Sequence, residues 1–465
     1  MSVQHRRLFD KGEQMITMLQ TAERLRQGLT TPDELVACAL AAAKEAQPVF
    51  ISLLDQRALD AARASTRRWQ QGTPLSAFDG IPYAVKDLLD VAGSRTTAGS
   101  ITRVDAEIAV EDAAVIAALT AQGMIPLGKT NLVEFAYSGL GLNPHFGTPA
   151  SAVVVDETRV PGGSSSGSAI AVQRGIVTSA IGTDTAGSIR VPAAFNGVVG
   201  YKASTGRYSQ QGVHPLAVTL DSLGAFAHSV ADCAALDRTM RGINDGGCPA
   251  ARLSDLRLVV DEGVLSDPAL QSAVRQNLVA TMERLRAAGT QVEYRMVAAV
   301  AQTRELIARS VWLGAIEAWR LLGPIVESPQ GVRMDRRVCA RLRAAKDIDS
   351  ATEARIRQSR EALMAAIEDE LDGAFLVMPT VKHVAPPMAP LEQDDALFAA
   401  VNLETLSLTM IGSLLDMPGV ALPSGQDSLG LATSVLFSTT RGRDDPLLSA
   451  CLAIESAMLA DGLRW

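Results

Sequence analysis

An α/β fold is predicted by short apolar segments of strand length that alternate along the chain with segments of helical periodicity. Leu256–Val260 predicts a strand, Pro268–Ala288 a helix, and Gln291–Tyr294 a second strand. A further alternation combines a short buried helix at Ala169–Arg174 with an apolar strand within Ile176–Ile181. Strands that alternate with helices are typical of a sheet with helices packed on its faces.

The N-terminal part, residues 1–70, is predicted to form a helical layer. Thr31, Pro32 and Glu34 indicate a capping box with proline at the first helical position. Apolar side chains then repeat along one face of this helix: Leu35, Val36, Ala39, Leu40 and Ala43. The spacing indicates packing against the rest of the fold, and the segment carries no candidate catalytic group.

Further elements are predicted downstream. Asp112 is expected to cap a helix that ends near Gln122, followed by a strand at Met124–Leu127. Residues 297–370 predict helices almost throughout, either as a cover over a functional site or as a plain packing layer. Because no long polar linker divides the chain, residues 1–465 are expected to form a single domain.

The chain of 465 residues carries a formal net charge of −8, with 47% apolar and 20% charged residues. These values are typical of a globular protein with a sizeable core and argue against a general nucleic-acid-binding surface. A basic run at Arg333–Lys346 is predicted to be a solvated helix face rather than a binding patch. No run of about 18 apolar residues occurs, so no membrane span is expected.

Five cysteines are scattered along the chain without a C-x-x-C pair: Cys38, Cys233, Cys248, Cys339 and Cys451. The pattern predicts reduced thiols in a cytoplasmic protein, without structural zinc. The N-terminal residues lack the apolar segment of a secretion signal, which agrees with that location. Because no H-E-x-x-H or similar ligand spacing occurs, no metal site is expected.

Two loops rich in glycine and hydroxyl side chains flank one short helix and one strand. They are Gly162–Ser168 and Gly182–Ser188. Glycine lets backbone N–H groups converge on an anion, and hydroxyl groups can supply a nucleophile or carry protons. One such loop alone is as consistent with a phosphate-binding nest or a polar turn as with a catalytic site, whereas two loops in this arrangement favour a catalytic site.

Lys86 lies among apolar residues of a predicted strand, where burial of its charge is costly. Its side chain could extend to the surface or pair with Asp87 or Asp90. In the other interpretation, desolvation lowers the pKa of Lys86 so that its neutral amine serves as the base for a serine nucleophile.

A nucleophile elbow is a competing interpretation of the first loop, since Gly163–Gly167 matches G-x-S-x-G. That motif needs a strand that runs directly into the turn. Pro161 precedes the turn here and is unfavourable in a central strand, so this arrangement is disfavoured.

Several ordered motifs resemble the signature of the amidase-signature hydrolases, most closely across residues 75–240. They are GIPYAVKD at Gly80–Asp87, GKTNLVEF at Gly128–Phe135, GGSSSGS at Gly162–Ser168, DTAGSIR at Asp184–Arg190 and MPT at Met378–Thr380. The family is related to the glutamyl-tRNA amidotransferase A subunit, fatty acid amide hydrolase and allophanate hydrolase. The resemblance implies a central mixed β-sheet covered on both sides by α-helices, with residues 75–240 as the signature core and residues 297–370 as a helical cover.

The resemblance also implies a Ser–cisSer–Lys catalytic site. Ser188 takes the place of the nucleophile, Ser164 that of the bridging serine after a cis Gly163–Ser164 peptide bond, and Lys86 that of the base. The oxyanion hole would consist of the backbone N–H groups of Thr185, Ala186, Gly187 and Ser188. The residues near the substrate would be Tyr137, Ser138, Gly139 and Gly163. Ala186 replaces a commoner glycine, and its N–H stays available to the hole provided that its φ is negative. No cofactor and no metal are implied.

The implied function is that of an amidohydrolase that cleaves the C–N bond of a small or mid-sized carboxylic amide through a serine acyl-enzyme. Two alternatives stay open: the A subunit of a tRNA-dependent glutamine amidotransferase, and an allophanate or carboxylated-urea hydrolase. Val218 stands where allophanate hydrolases carry arginine, which favours neutral amides. The expected partner is a small-molecule amide, without nucleic acid or membrane, and assembly as a homodimer stays open. A binding module on an inactive scaffold is disfavoured, since all three reacting positions are present.

Overall fold

The computed structural model describes residues 15–153, 157–243 and 247–460. Eleven strands within these ranges form one sheet. The strands are β1 (Phe50–Leu53), β2 (Pro82–Lys86), β3 (Ile125–Thr130), β4 (Ser179–Asp184), β5 (Val199–Lys202), β6 (Ser222–Ala227), β7 (Arg257–Asp261), β8 (Gln291–Arg295), β9 (Phe375–Pro379), β10 (Gly419–Gln426) and β11 (Ala432–Ser438).

The α-helices of the described residues surround this sheet. They are α1 (Met18–Arg26), α2 (Pro32–Glu45), α3 (Asp55–Gln70), α4 (Ala114–Ala121), α5 (Ser166–Gln173), α6 (Arg190–Asn196), α7 (Val230–Met240), α8 (Glu262–Leu265), α9 (Ser272–Ala287), α10 (Ala298–Arg309), α11 (Leu313–Val326), α12 (Arg336–Arg343), α13 (Ser350–Leu371), α14 (Met388–Gln393), α15 (Asp395–Leu406), α16 (Thr409–Leu414) and α17 (Asp444–Ala460). No helix in the described ranges combines the length and the apolar character that crossing a bilayer requires.

The sheet is mixed, with the strand order β1-β3-β2-β4-β6-β5-β10-β11-β9-β7-β8. Strand β2 is parallel to β3 and β4, and β7 is parallel to β8 and β9. The remaining neighbouring strands pair antiparallel. The predicted α/β class with a central mixed sheet is confirmed.

Helices cover both faces of the sheet. Alternate residues of each strand point to opposite sides, so each face presents its own apolar side chains to the helices. Tyr83 and Val85 of β2 pack in an apolar cluster with residues of α4, α7 and α17. Ala84, between them, packs on the other face with residues of α2, α3, α5 and α6.

The N-terminal prediction is correct for α2 and wrong for β1. The capping box is present, since Thr31 and Glu34 each accept a hydrogen bond from the backbone N–H of the other, and the predicted apolar face of α2 is buried. Phe50–Leu53 form a strand instead of a helix because their backbone groups pair with the edge of β3. Residues 1–14, with the expected absence of a secretion signal, lie outside the described residues.

The prediction that Asp112 caps a helix is wrong. Helix α4 begins at Ala114 and no side chain caps it. The two carboxylate oxygens of Asp112 instead accept hydrogen bonds from Arg57 at 2.8 and 2.6 Å, and one also accepts from the N–H of Ala92 at 2.7 Å. A two-pronged, charge-assisted pair with arginine holds a carboxylate more strongly than a neutral N–H at a helix end.

Residues 297–370 are helical as predicted, in α10 to α13. The expectation of a solvated face over the basic run 333–346 is wrong for Arg337, which is buried and pairs with Asp335 at 2.7 Å. The backbone N–H of Asp335 donates to the buried carboxylate of Glu134 at 2.6 Å. This part of the helical region is therefore joined to the segment that follows β3.

Candidate active site

Two parallel neighbouring strands bring Lys86 beside hydroxyl groups. Lys86 is the last residue of β2, and Thr183 precedes the last residue of β4. Because Val85 lies opposite Ile181, the carboxyl ends of the two strands meet at the same edge of the sheet. The Nζ atom of fully buried Lys86 lies 2.7 Å from the Oγ1 of Thr183 and 2.7 Å from the Oγ of Ser164.

Burial is the main influence on the charge of Lys86. It lowers the pKa of Lys86 from 10.5 to about 7, although Asp184 and Asp221 favour the charged form. Asp87, the neighbour in sequence, pairs with buried Lys129 at 2.6 Å. The interpretations in which Lys86 reaches the surface or pairs with Asp87 are therefore wrong. An amine with a pKa near neutrality can accept a proton at physiological pH.

The first hydroxyl-rich loop places Ser164 against Lys86. The Gly163–Ser164 peptide bond is cis, as the resemblance implied. Ser164 is fully buried, and α5 begins two residues later. The backbone N–H of Ser165 donates to the carbonyl oxygen of Ser188 at 3.3 Å. This contact joins the two hydroxyl-rich loops.

The segment from Thr185 to Ser188 connects β4 to α6 and presents unused donors. Within the described ranges, none of its four backbone N–H groups donates to another protein group. Gly187 has a φ of 141°, and a Cβ atom at this position would collide with Thr409. Ala186 is absent from the described residues with positive φ, so the condition on its N–H is met. Four neighbouring free donors can bind an oxyanion.

A buried ion pair holds both ends of this segment. Asp184 and Arg190 are 2.9 Å apart, and both are almost completely buried. Arg190 also donates to the carbonyl of Thr409 at 2.9 Å and to the hydroxyl of Ser413 at 2.8 Å. Burial raises the pKa of Asp184, but Arg190 and the N–H of Ile189 favour its charged form and contribute to a net lowering to about 2. The carboxylate is therefore ionised at neutral pH.

Two further side chains fix the same segment, and sequence reasoning missed both. The hydroxyl of Thr185 donates to Asp221 at 2.5 Å, and the hydroxyl of Thr409 donates to the carbonyl of Ala186 at 2.6 Å. Burial raises the pKa of Asp221 to about 6, although this hydrogen bond favours the charged form. Asp221 directly precedes β6, the strand beside β4, and an acidic residue at that position was a usable signal. Thr409 lies 223 residues from Ala186 and offered none.

The residues predicted to lie near the substrate form one connected group. The hydroxyl of Ser138 and the N–H of Gly139 both donate to the Oδ1 of Asn402, at 2.9 and 2.8 Å. The N–H of Gly163 donates to the carbonyl of Gly139 at 2.7 Å. Tyr137 is buried beside them. The structure thus places the three loop residues next to Gly163, and their role toward a substrate stays a prediction.

The sequence matches the Amidase family model over residues 34–448. The chain belongs to the amidase family. A 2-amino-5-chloromuconic acid deaminase of Comamonas testosteroni is 32% identical over 419 residues, which cover 87% of each chain. The A subunit of a glutamyl-tRNA(Gln) amidotransferase of Cupriavidus necator is 40% identical over 235 residues, which cover 50% of this chain and 46% of the relative. The match to that amidotransferase protein thus spans about half of its length.

Solved amidase structures have the same fold. One crystal structure of an amidase superposes with a TM-score of 0.84 at 29% identity, over 95% of this chain and 99% of that chain. A bacterial aryl acylamidase of the amidase signature family superposes with a TM-score of 0.81 at 20% identity, over 95% and 96% of the two chains. The family match, together with the similarity to the amidase structure at 29% identity, shows that the chain is an amide-hydrolysing enzyme.

The Asp184–Arg190 pair generates a stability prediction. Asp184→Asn leaves the buried guanidinium of Arg190 without its counterion, which costs about 3–5 kcal/mol. We expect a clearly lower midpoint of thermal unfolding for this variant. Arg63→Gln, which breaks the exposed pair with Asp60, is the control and should leave the midpoint unchanged. Equal midpoints for both variants would contradict the proposed importance of the buried pair.

Proposed function

We propose that this amidase hydrolyses a small or mid-sized carboxylic amide through an acyl-enzyme on Ser188. In this proposal Lys86 is the base, Ser164 is the proton relay, and the Thr185–Ser188 segment is the oxyanion hole. The contact of 2.7 Å between the Nζ of Lys86 and the Oγ of Ser164, in a fully buried environment, is the observation that carries the proposal.

Acylation begins with a proton transfer. The neutral amine of Lys86 accepts the proton of Ser164, which in turn takes the proton of Ser188, and the Ser188 oxygen attacks the amide carbonyl carbon. The carbonyl oxygen gains negative charge, and the free N–H groups of the Thr185–Ser188 segment donate hydrogen bonds to it. The loss of one such donor typically costs about 3–4 kcal/mol.

The relay then runs in the opposite direction. Protonated Lys86 returns a proton through Ser164 to the leaving nitrogen, the C–N bond breaks, and the acyl group stays on Ser188. A water molecule, deprotonated through the same two groups, attacks the acyl-enzyme. The bond from the acyl carbon to the Ser188 oxygen breaks, the proton returns through Ser164 to that oxygen, and the carboxylic acid leaves. Besides these side chains and backbone donors, the proposed cycle uses one water molecule.

Two other activities are competing candidates. Similarity at 40% identity to the amidotransferase protein favours a glutaminase role within a complex, but it extends over half of this chain. Similarity at 32% identity over 87% of the chain favours a deaminase acting on an acid of the kind named for that relative. The proposed Lys86, Ser164 and Ser188 arrangement serves each of these reactions, so substrate tests decide between them.

We also propose a cytoplasmic location. Cys233, Cys248, Cys339 and Cys451 carry free thiols. Free thiols are typical of proteins kept in a reducing compartment.

Substitution of the three reacting residues tests the mechanism. Ser188→Ala removes the attacking oxygen and should reduce kcat to the background level. Lys86→Ala should cause a nearly equal loss, because members of one catalytic unit are not additive. Ser164→Ala leaves the nucleophile and the base in place, so we expect a smaller loss of about 10²–10⁴-fold. An acyl-enzyme found by mass spectrometry on Ser164 or Ser165, with Ser188→Ala still active, would overturn the assignment.

The pH dependence follows from the lowered pKa of Lys86. Since only the neutral amine accepts a proton, kcat/KM should rise as the pH increases through about 7 and then level off. Thr183→Val is the matched variant, because the Thr183 hydroxyl accepts a hydrogen bond from Lys86 and favours its charged form. The kcat/KM of Thr183→Val should therefore rise at a lower pH than that of the wild type. A flat profile across neutral pH would contradict the role of Lys86.

A substrate panel separates the candidate activities. The isolated chain should hydrolyse simple aliphatic or aryl amides, measured by release of ammonia or amine, without any added protein. Glutamine, allophanate and an amino-substituted muconic acid complete the panel. Glutamine hydrolysis that appears only with charged tRNA and partner proteins would favour the amidotransferase, and turnover of the muconic acid alone would favour the deaminase.

A further inference from the structure

Arg341 of α12 carries a positive charge without an ion-pair partner among the described residues, although Asp335, which pairs with Arg337, favours its charged form. Its side chain is half-buried, and its guanidinium lies 4.7 Å from the centre of the Tyr137 ring. One of its nitrogens donates a hydrogen bond to the carbonyl of Tyr137. Arg336 and Arg337 on the same helix each pair with an aspartate, whereas Arg341 forms no ion pair within the described residues. Such a charge is costly to keep away from water.

The chemistry of the guanidinium indicates what could balance the charge. It is planar, carries five N–H donors and matches the two oxygens of a carboxylate. The carbonyl of Tyr137 uses only part of this capacity. The Tyr137 ring packs against the guanidinium and limits its orientation. Arg341 is thus held in place with donors left for an anion.

The position of Arg341 relates it to the proposed catalytic residues. Tyr137 begins the loop whose Gly139 carbonyl accepts a hydrogen bond from the N–H of Gly163, the residue before Ser164. Asn402 fixes this loop from the other side. The guanidinium therefore rests on the loop that contacts the candidate active site.

The Thr185–Ser188 segment contacts an apolar cluster through Ala186. Ala186 packs against a cluster that includes Leu406 and Met410, together with Ile307 and Trp312 of the helical region. Leu406 of this cluster also lies close to Gly139, two residues from Tyr137. A cation near an apolar cluster suits a ligand that has a short hydrocarbon chain and one terminal negative charge.

We propose that Arg341 binds a carboxylate of the substrate, so that the enzyme takes amides with a carboxylate at the end of a short apolar acyl chain. The proposal rests on the amidase function proposed above and names its substrate class. It replaces the expectation of neutral amides, which relied on Val218. The side chain of Val218 is 76% exposed, so its apolar character is no evidence that an enclosed substrate pocket is uncharged.

Two amides of equal chain length test the proposal. Succinamate and butyramide differ by a carboxylate in place of a methyl group, and the wild-type enzyme should have the higher kcat/KM for succinamate. Arg341→Gln should lower the ratio of the two kcat/KM values about 10–100-fold, mainly through the KM for succinamate. Arg341→Lys, which keeps the charge but not the planar fork, should fall in between.

Arg343→Gln is the matched control, because it removes the same charge from an exposed position of the same helix. The ratio of the kcat/KM values for succinamate and butyramide should be the same in Arg343→Gln as in the wild type. A loss in Arg341→Gln that is equal for both amides would show that Arg341 only supports the fold, and would overturn the proposal.

Binding of succinate, measured by calorimetry, separates this proposal from the proposed hydrolysis. Arg341→Gln should bind succinate about tenfold more weakly or worse than the wild type, and Arg343→Gln should bind it equally well. If the wild type hydrolyses neither amide but binds succinate through Arg341, the hydrolysis proposal fails and the carboxylate site stands. If butyramide is hydrolysed while succinate is not bound, or is bound independently of Arg341, the carboxylate site is refuted and the amidase stands.

Discussion

The removal of Lys86 from water is the constraint on which the proposed chemistry depends. A lysine at the protein surface would stay protonated at neutral pH and could not act as a base. Here the side chain is enclosed at the edge of a sheet, and the hydrogen bonds of its Nζ to described residues go to hydroxyl and carbonyl oxygens of Ser164 and Thr183. The carboxylates around Lys86 are engaged by other groups, and Asp221, which also favours the charged form of Lys86, accepts a hydrogen bond from Thr185 at 2.5 Å. Asp87 pairs with Lys129, and Asp184 pairs with Arg190.

These two buried ion pairs give the region its rigidity as well as its electrostatics. Breaking either pair would leave an uncompensated charge in the interior. A freed Asp87 or Asp184 could also attract the proton that Lys86 must release, since an opposite charge nearby raises the pKa of a lysine. Each pair thus stabilises the fold and also favours the neutral form of Lys86.

The sequence predicted residues of the candidate site better than the groups that surround them. Lys86 and Ser164 lie in short contiguous motifs, and the structure places them in contact. Thr409 and Asn402 come from the last part of the chain, and only tertiary packing brings them to the loops that they hold. Phe50–Leu53 became a strand because an unpaired sheet edge was available, which local propensity does not reveal. Arg341 belongs to a run that resembles a solvated helix face, and only the position of the neighbouring loop shows that its guanidinium contacts Tyr137.

The attachment of the Thr185–Ser188 segment to α16 has a consequence for protein synthesis. The segment itself is complete once residue 188 has been made, but Thr409 and Ser413, which fix Ala186 and Arg190, follow more than 200 residues later. The strands β10 and β11, which continue the sheet from β5 to β9, are later still. A ribosome-bound chain therefore carries the proposed catalytic lysine and serines for most of its synthesis without the helix and strands that hold the surrounding segment. The proposed hydrolytic activity therefore requires the final part of the polypeptide, and we expect unfinished or prematurely terminated chains to be inactive.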